Sequence, residues 1–141
     1  MTITSIAFNA PELTPMCKKF WRLTKPLRAT INMPAGKGYR IAIDEGFLTD
    51  LRSGSDLLNP IVPKWGDWGT CVAYIVHDAL YTRHFMSRQL ADELLRDMLV
   101  EAGMGKFKAA LAYRAVRMFG GGAWNASDEH GNKDKVFLEV I

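Results

Sequence analysis

Two apolar runs with helical spacing, separated by a short connection, constrain this chain more than any other feature. Residues 70–81 carry apolar side chains at helical intervals, interrupted by the polar pair His77-Asp78. Ser87 is a favourable N-cap, and the apolar residues that follow it again recur at helical intervals. The residues between the two runs, 82–86, match the length that joins antiparallel helices. The sequence therefore predicts a helical hairpin.

The predicted hairpin determines which polar side chains can meet between its two helices. With the turn centred near Phe85, His77 lies eight positions before the centre and Asp92 lies seven after it. Equal distances from the turn mean equal heights in an antiparallel pair, and packed helices lie about 8–10 Å apart, so an imidazole and a carboxylate can meet there. Tyr81 shares the edge of His77 because four residues separate them. Asp78 points about 100° further round the helix, toward a metal ion or solvent.

The candidate set is therefore His77, Asp78, Tyr81 and Asp92, and it has both a chemical and a structural interpretation. A carboxylate bound to one imidazole nitrogen selects the tautomer and leaves the other nitrogen free to take a proton from water. A buried, mutually satisfied polar pair that holds the hairpin together would have the same sequence pattern. The spacing leaves both interpretations open.

Asp50 and Ser53 are two additional candidates, located between the β-rich part and the hairpin. Asp50 follows a strand and could bind a metal ion or substrate, although an aspartate at such a position also serves as a turn or cap residue. Ser53 could be a nucleophile, but no Gly-x-Ser-x-Gly elbow surrounds it. Both residues are kept as additional candidates for the site.

The hydrophobic pattern predicts an α+β fold. Alternating apolar and polar residues predict an N-terminal antiparallel sheet over about residues 2–50, and a helical hairpin and a third helix follow over about residues 68–119. We expect residues 11–15 to form a loop, and residues 47–51 to leave the sheet and carry Asp50 into a loop. The predicted strands are residues 2–8, 20–24, 27–31 and 39–43.

The third helix is predicted over residues 106–119, with three glycines after its end. Its polar side is predicted to carry Lys108, Arg114 and Arg117. After it, residues 136–141 could add a short edge strand. The side chains predicted to face inward are Phe107, Ala110, Leu111, Val116 and Phe119.

The chain of 141 residues is predicted to form a single domain. Its parts are a β-rich part (residues 1–50), an apolar loop (51–69), a three-helix part (70–122) and a polar tail (123–141). The apolar loop contains two prolines and several large apolar side chains, so we expect it to pack over the hairpin.

Composition and charge argue against several classes of function. A net charge of +3, scattered along the chain, does not indicate nucleic-acid binding. Cys17 and Cys71 lack metal-ligand spacing and are typical of free thiols in a reducing compartment. The sequence predicts neither a signal peptide nor a transmembrane segment. No histidine precedes His77, which argues against a histidine–aspartate phosphohydrolase.

Six motifs follow one another along residues 36–124. They are Gly-Phe-x-Thr-Asp-Leu at 46–51, Ser53, a loop with proline and tryptophan, His-Asp-x-Leu-Tyr at 77–81, Ala-Asp at 91–92, and Ala-Val-Arg-x-Phe-Gly at 115–120 with Trp124 behind it. This order resembles an uncharacterised family of tailed bacteriophages and prophages. That family usually has Ala-Ser-x-Pro after Thr-Asp-Leu, whereas residues 52–55 here are Arg-Ser-Gly-Ser. The resemblance implies a protein of the virion or of the host bacterial cytoplasm, without an assigned activity.

A second resemblance is local and concerns chemistry. His-Asp-x-x-Tyr on one helix, with an aspartate on the antiparallel neighbour, is similar to the catalytic core of phospholipase A2. The resemblance implies that His77 activates water and that Asp78 holds calcium. It further implies that Asp92 orients His77 and that Tyr81 donates a hydrogen bond to Asp92.

Two functions are compatible with these observations. The first is a phage-encoded hydrolase that cleaves an ester, of a lipid or membrane substrate, with a His-Asp dyad and calcium. The alternative is a non-catalytic virion, tail-assembly or host-interaction protein in which the four polar residues are structural. Exposure separates the two, because catalysis requires access to His77 and a structural cluster does not. The oligomeric state is open in both cases.

Overall fold

Two antiparallel sheets form the β-rich part of the protein. The computed structural model describes residues 3–16, 20–49, 68–126 and 131–141. The strands in these ranges are β1 (Ser5–Phe8), β2 (Leu13–Pro15), β3 (Trp21–Leu23), β4 (Leu27–Asn32), β5 (Gly38–Ile43), β6 (Leu48–Thr49) and β7 (Val136–Val140). One sheet has the strand order β1-β4-β5-β7, and the other has the order β2-β3-β6.

The central hairpin of the larger sheet follows directly from its alternating sequence. β4 and β5 pair from Leu27–Ile43 to Asn32–Gly38, and a short 3-10 turn at Pro34–Gly36 joins them. Leu27 and Ile31 on β4, and Ile41 and Ile43 on β5, are buried, because period-two alternation places them on one face of the sheet. β7 returns from the far end of the chain and pairs with β5 as the edge strand.

The described residues form four α-helices besides the strands: α1 (Trp68–Thr82), α2 (Arg88–Glu101), α3 (Lys106–Phe119) and α4 (Gly121–Asn125). α1 packs against α2, and α2 packs against α3. The side chain of Ser87 accepts a hydrogen bond from the backbone N–H of Leu90 and so caps the start of α2. Gly103 follows the end of α2 with a φ of 101°. Glycine is favoured there because the backbone after the helix adopts a left-handed conformation.

α1 is the central helix of the core. Nearly all of its side chains are buried, from Thr70 to Thr82, with Asp78 only partly covered. One continuous hydrophobic cluster contains residues of both strands and helices, among them Ile31, Ile41, Ile75 and Leu94. A polar side chain on such a helix enters an apolar interior, and it therefore requires partners there.

The α+β prediction is confirmed, with corrections in the sheets. The hairpin helices, the third helix at 106–119 and the edge strand near 136–141 are all present. The predicted antiparallel β-structure is divided between two sheets, because β2, β3 and β6 form a second one. Residues 11–15 were predicted as a loop but contain β2. Residues 48–49 remain in a sheet, since β6 pairs with Trp21 and Arg22 of β3.

The predicted inward face of α3 was wrong at three of its five residues, because Phe107, Leu111 and Phe119 are exposed. Val116 is buried as predicted and Ala110 is half-buried, and the other buried residues of this helix are Ala109 and Ala112. The physical reason is the approach distance, since interaxial spacing depends on the side chains at the contact. Small alanines let α3 lie close against the bundle, and the larger apolar residues then face outward. The hydrophobic pattern alone did not distinguish these two faces.

Part of the predicted organisation concerns residues beyond those described. The predicted apolar loop at 51–69 lies outside them except for its last two residues, which begin α1. Within the described ranges, no helix is long and apolar enough to cross a bilayer.

Substitution of Gly38 tests the close packing at the end of the β4–β5 hairpin. A Cβ at Gly38 would collide with the carbonyl oxygen of Ile31, whereas a Cβ at Gly36 would meet nothing within 4 Å. Both glycines have positive φ, so both alanine variants carry a conformational cost of about 1 kcal/mol. We expect Gly38→Ala to lose about 1–3 kcal/mol more than the matched control Gly36→Ala. Urea unfolding of both variants measures the difference, and equal losses would contradict the close contact.

Candidate functional site

The carboxylate of Asp92 lies where three helices meet. Asp92 is on α2, and its side chain is fully buried. α1 contributes His77 and Tyr81, and α3 contributes Arg117. An isolated ionised carboxylate in an apolar interior is strongly disfavoured, so the surrounding donors are a condition for burying it.

One oxygen of this carboxylate binds both groups from α1. His77 Nε2 lies 2.7 Å from Asp92 Oδ1, and the Tyr81 hydroxyl donates to the same oxygen at 2.7 Å. The exposed fraction of the His77 side chain is 1%, and that of the Asp92 side chain is 0%. Because an ionised carboxylate only accepts hydrogen bonds, Nε2 carries the proton in this contact. In the neutral imidazole, Nδ1 is then the unprotonated ring nitrogen and can accept a hydrogen bond or a proton.

The other oxygen faces two arginines. Arg117 Nη1 donates to Asp92 Oδ2 at 2.9 Å, and its side chain is partly exposed. Arg88 lies four residues before Asp92 on α2, and its Nε is 4.0 Å from the same oxygen. Arg117 thus forms the direct charged contact, while Arg88 adds a weaker one.

Arg88 also joins the start of α2 to the end of α3. Its Nη2 donates to the carbonyl oxygens of Val116 and Arg117, both at 2.8 Å, and its Nε donates to the Tyr81 hydroxyl at 3.2 Å. The last carbonyls of a helix carry partial negative charge, and the Val116 carbonyl also accepts from the backbone N–H of Gly120. A guanidinium at this position therefore interacts favourably with the end of α3 and orients the Tyr81 hydroxyl at the same time.

Gly120 and Trp124 complete the surroundings of Tyr81. A Cβ on Gly120 would lie 2.7 Å from the Tyr81 hydroxyl oxygen, so only a glycine fits at this end of α3. Trp124 makes an edge contact with the Tyr81 ring and stacks on His84, with ring centroids 5.2 and 3.6 Å apart. His84, in the hairpin turn, is exposed but held by this stacking.

The donors around Asp92 determine its protonation state. Burial acts to raise the pKa of the carboxyl, but the hydrogen bonds of His77 and Tyr81, together with the neighbouring Arg117, outweigh it and lower the pKa of Asp92. Burial, and then the hydrogen bond to Asp92, raise the pKa of Tyr81. Asp92 is therefore ionised and Tyr81 protonated at neutral pH.

Asp78 faces a different group of residues from Asp92. It is partly buried, and the hydroxyl of Thr49 on β6 donates to its Oδ2. The nearby Tyr74 has a raised pKa, because of burial first and the charge of Asp78 second. Among the described residues, the hydroxyl of Tyr74 has no hydrogen-bond partner. Asp50 follows Thr49 directly, but it lies outside the described residues.

The structure brings together three of the four main candidates: His77, Tyr81 and Asp92. Asp78 lies next to His77 in sequence but contacts Thr49, and Ser53 lies outside the described residues. No group of three or more histidine, cysteine or acidic side chains placed to hold a metal ion occurs in the described part of the chain.

Sequence reasoning missed two cationic members of the site. Arg88 had a local signal, because a cation four residues from Asp92 on one helix is a favourable pair. Arg117 had none, since its position beside Asp92 depends on how α3 docks against α2. It was predicted on the solvated polar side of α3.

A family model described as a protein of unknown function, DUF1353, matches residues 21–116. The chain belongs to this family. The matched part of the DUF1353 chain runs from β3 through most of α3 and includes His77, Arg88 and Asp92, whereas Arg117 follows its last residue. No curated protein and no solved structure matches the chain.

Removal of the Asp92 charge tests whether the fold depends on this carboxylate. Asp92→Asn keeps the volume but leaves Arg117 without its charged partner, so we expect a loss of about 3 kcal/mol at neutral pH. The matched control is Asp97→Asn on the same helix, because Asp97 Oδ2 has no described partner and burial raises the pKa of Asp97. We expect the control to change stability by less than about 0.5 kcal/mol, or to raise it. Urea unfolding of the two variants at pH 7 measures both.

The same pair of variants predicts a pH dependence with a definite sign. Because the pKa of Asp92 is lowered in the folded state, the ionised carboxylate stabilises the protein fully when the pH is above the unfolded-state pKa, near the ordinary 3.8. This stabilisation is lost as the pH falls through the folded-state pKa. The stability difference between wild type and Asp92→Asn should therefore shrink as the pH falls below about 3.8 toward the folded-state pKa. A constant difference between pH 7 and pH 3 would contradict the assignment.

Proposed function

We propose that this chain is a small bacteriophage or prophage hydrolase in which His77 activates water and Asp92 orients His77. The proposed substrate is an ester, of a phospholipid or another membrane lipid. The single observation that supports the chemistry best is the 2.7 Å contact between His77 Nε2 and Asp92 Oδ1. Phage origin is inferred from the motif order along residues 36–124, and the reaction from the local similarity to phospholipase A2.

Each residue of the cluster has a role in the proposed step. His77 Nδ1 takes a proton from water as the water oxygen forms a bond to the ester carbonyl carbon. Asp92 holds the ring through Nε2 and stabilises the imidazolium that forms. The proton then passes to the departing alcohol oxygen when its bond to carbon breaks. Tyr81 holds the same carboxylate oxygen as His77 and acts as a positioning residue.

The arginines keep the carboxylate in position for that role. Arg117 donates to Asp92 Oδ2, so Oδ1 remains directed at His77 and Tyr81. The positive charge also favours the ionised carboxylate, which a base-orienting residue requires. Both arginines are therefore positioning residues in the proposed mechanism.

Calcium at Asp78 is the proposed cofactor. When bound, it would polarise the ester carbonyl. Asp78 supplies a carboxylate and Thr49 a hydroxyl next to it, whereas calcium takes about six to eight oxygen ligands. The calcium proposal therefore depends on Asp78 and on the resemblance rather than on a complete ligand set. Asp50 and Ser53 remain proposed additional site residues.

One observation favours a second candidate function. His77 and Asp92 are almost completely buried, and together with Arg117 they join three helices. A buried, hydrogen-bonded network of this kind can serve stability alone. We propose as the alternative a non-catalytic phage protein, of the virion, of tail assembly or of host interaction, with a protein partner rather than nucleic acid.

Replacement of His77 by glutamine separates the two candidates. The glutamine amide can still donate to Asp92 but cannot act as a base, so we expect ester hydrolysis to fall by at least about 100-fold while the protein remains folded. Hydrolysis of phospholipid vesicles measures the rate, and circular dichroism measures folding. His130→Gln, which removes a histidine outside the four candidate residues, should keep wild-type activity.

The opposite result would support the alternative. If wild type cleaves no ester with calcium or other divalent cations, and His77→Gln lowers the free energy of unfolding by several kcal/mol, the cluster is structural. The search for function would then turn to protein partners of the virion or host.

Calcium dependence is tested separately through stability. An ion that binds only the folded state raises the free energy of unfolding by about 2.7 kcal/mol at a concentration 100 times its dissociation constant. We expect calcium to raise the melting temperature of wild type but not of Asp78→Asn. Asp134→Asn, an exposed aspartate near β7, is the matched control and should retain the shift. Identical wild-type melts in calcium and in chelator would refute the calcium site.

A further inference from the structure

The outward face of α3 is apolar, although the helix lies on the surface. Phe107, Leu111 and Met118 have exposed fractions of 77%, 41% and 73%. Positions four and eleven residues apart lie on nearly the same side of a helix, so these side chains form one stripe about 16 Å long. Ala109, Ala112 and Val116, the buried residues, lie on the opposite side.

The charged residues of α3 itself all have the same sign, while Asp97 and Glu101 of α2 line a pocket together with Lys106. α3 carries four cationic residues, Lys106, Lys108, Arg114 and Arg117, and no acidic one. Arg117 pairs with Asp92, whereas Lys106, Lys108 and Arg114 form no ion pair with any residue in the described ranges. Arg114 lies within the stripe itself, between Leu111 and Met118.

We propose that this face of α3 docks on an anionic membrane surface. Large apolar side chains flanked by lysine and arginine are the pattern with which a helix lies in the lipid interface, apolar residues inserted and cationic ends at the headgroups. Charge complementarity selects the occupant. A second copy of the chain would present the same positive face and repel it, whereas anionic lipid attracts each cation.

The docked helix would lie next to the candidate site. α3 supplies Arg117 to Asp92, and the carbonyls near its end bind Arg88. Docking would place the candidate site at an anionic lipid surface, where it reaches the ester. This link between docking and catalysis rests on the proposed function. Binding itself requires no hydrolysis.

The test is partition of the full chain onto vesicles of ether-linked phospholipids, which have no carboxylic ester to cleave. We expect wild type to bind vesicles that contain phosphatidylglycerol, to bind phosphatidylcholine vesicles weakly, and to lose affinity as salt rises. The double variant Lys108→Gln/Arg114→Gln should bind about 25-fold more weakly, since each cation near an anionic surface contributes about fivefold. Phe107→Ser/Met118→Ser should lose about tenfold or more.

Matched controls remove exposed residues of the same types from the sheet. Phe137→Ser/Val140→Ser takes away exposed apolar side chains of β7, and Arg28→Gln/Lys37→Gln takes away exposed cations; both should bind like wild type. The proposal is overturned if wild type does not bind anionic vesicles, or if the controls lose as much affinity as the α3 variants. Concentration-dependent dimerisation abolished by Phe107→Ser/Met118→Ser, without vesicle binding, would overturn it in favour of a protein interface.

His77→Gln distinguishes this proposal from the proposed function. If the variant binds ether-lipid vesicles like wild type and wild type hydrolyses no ester, docking stands and the hydrolase proposal fails. If wild type cleaves a soluble short-chain ester but does not bind vesicles, the hydrolase stands and docking fails.

Discussion

The buried carboxylate of Asp92 is the interaction on which the arrangement of the helices depends. A negative charge without water around it requires several donors, and they come from three different helices: His77 and Tyr81 from α1, and Arg117 from α3. The donors satisfy the carboxylate only in one relative arrangement of the helices, so the charge selects among the packings that the apolar residues would allow. Arg88 adds a second connection by binding the carbonyls at the end of α3.

The same contacts explain why a structural and a chemical interpretation of the site coincide. A carboxylate that is ionised, immobile and bound to one imidazole nitrogen is what a general base requires behind it. It is also what a stable buried network looks like. The difference lies in the access of water and substrate to His77 rather than in the dyad, which would have the same geometry in both cases. Thr49 and Asp78 form a further polar contact beside the dyad, joining a strand of the smaller sheet to α1.

The docking of α3 has consequences on both of its sides. Inward, alanines allow close approach to the bundle, and this approach places Arg117 against Asp92. Outward, the same rotation exposes Phe107 and Leu111, which the hydrophobic pattern assigned to the core. The contact of Arg117 with Asp92 and the exposure of the apolar side chains are therefore two results of one orientation of α3. The apolar stripe thus lies on the same helix that completes the candidate site.

The sequence by itself determined the features that depend on local spacing. The hairpin register followed from counting residues on each side of Phe85, the β4–β5 strands followed from alternation, and the N-cap at Ser87 followed from residue type. Only the tertiary structure decided the rotation of α3, the pairing of Leu48–Thr49 with β3, and the place of Arg117 beside Asp92. These contacts join elements whose mutual positions depend on side-chain volumes and buried charge across the whole core, and no periodicity within a single segment encodes them.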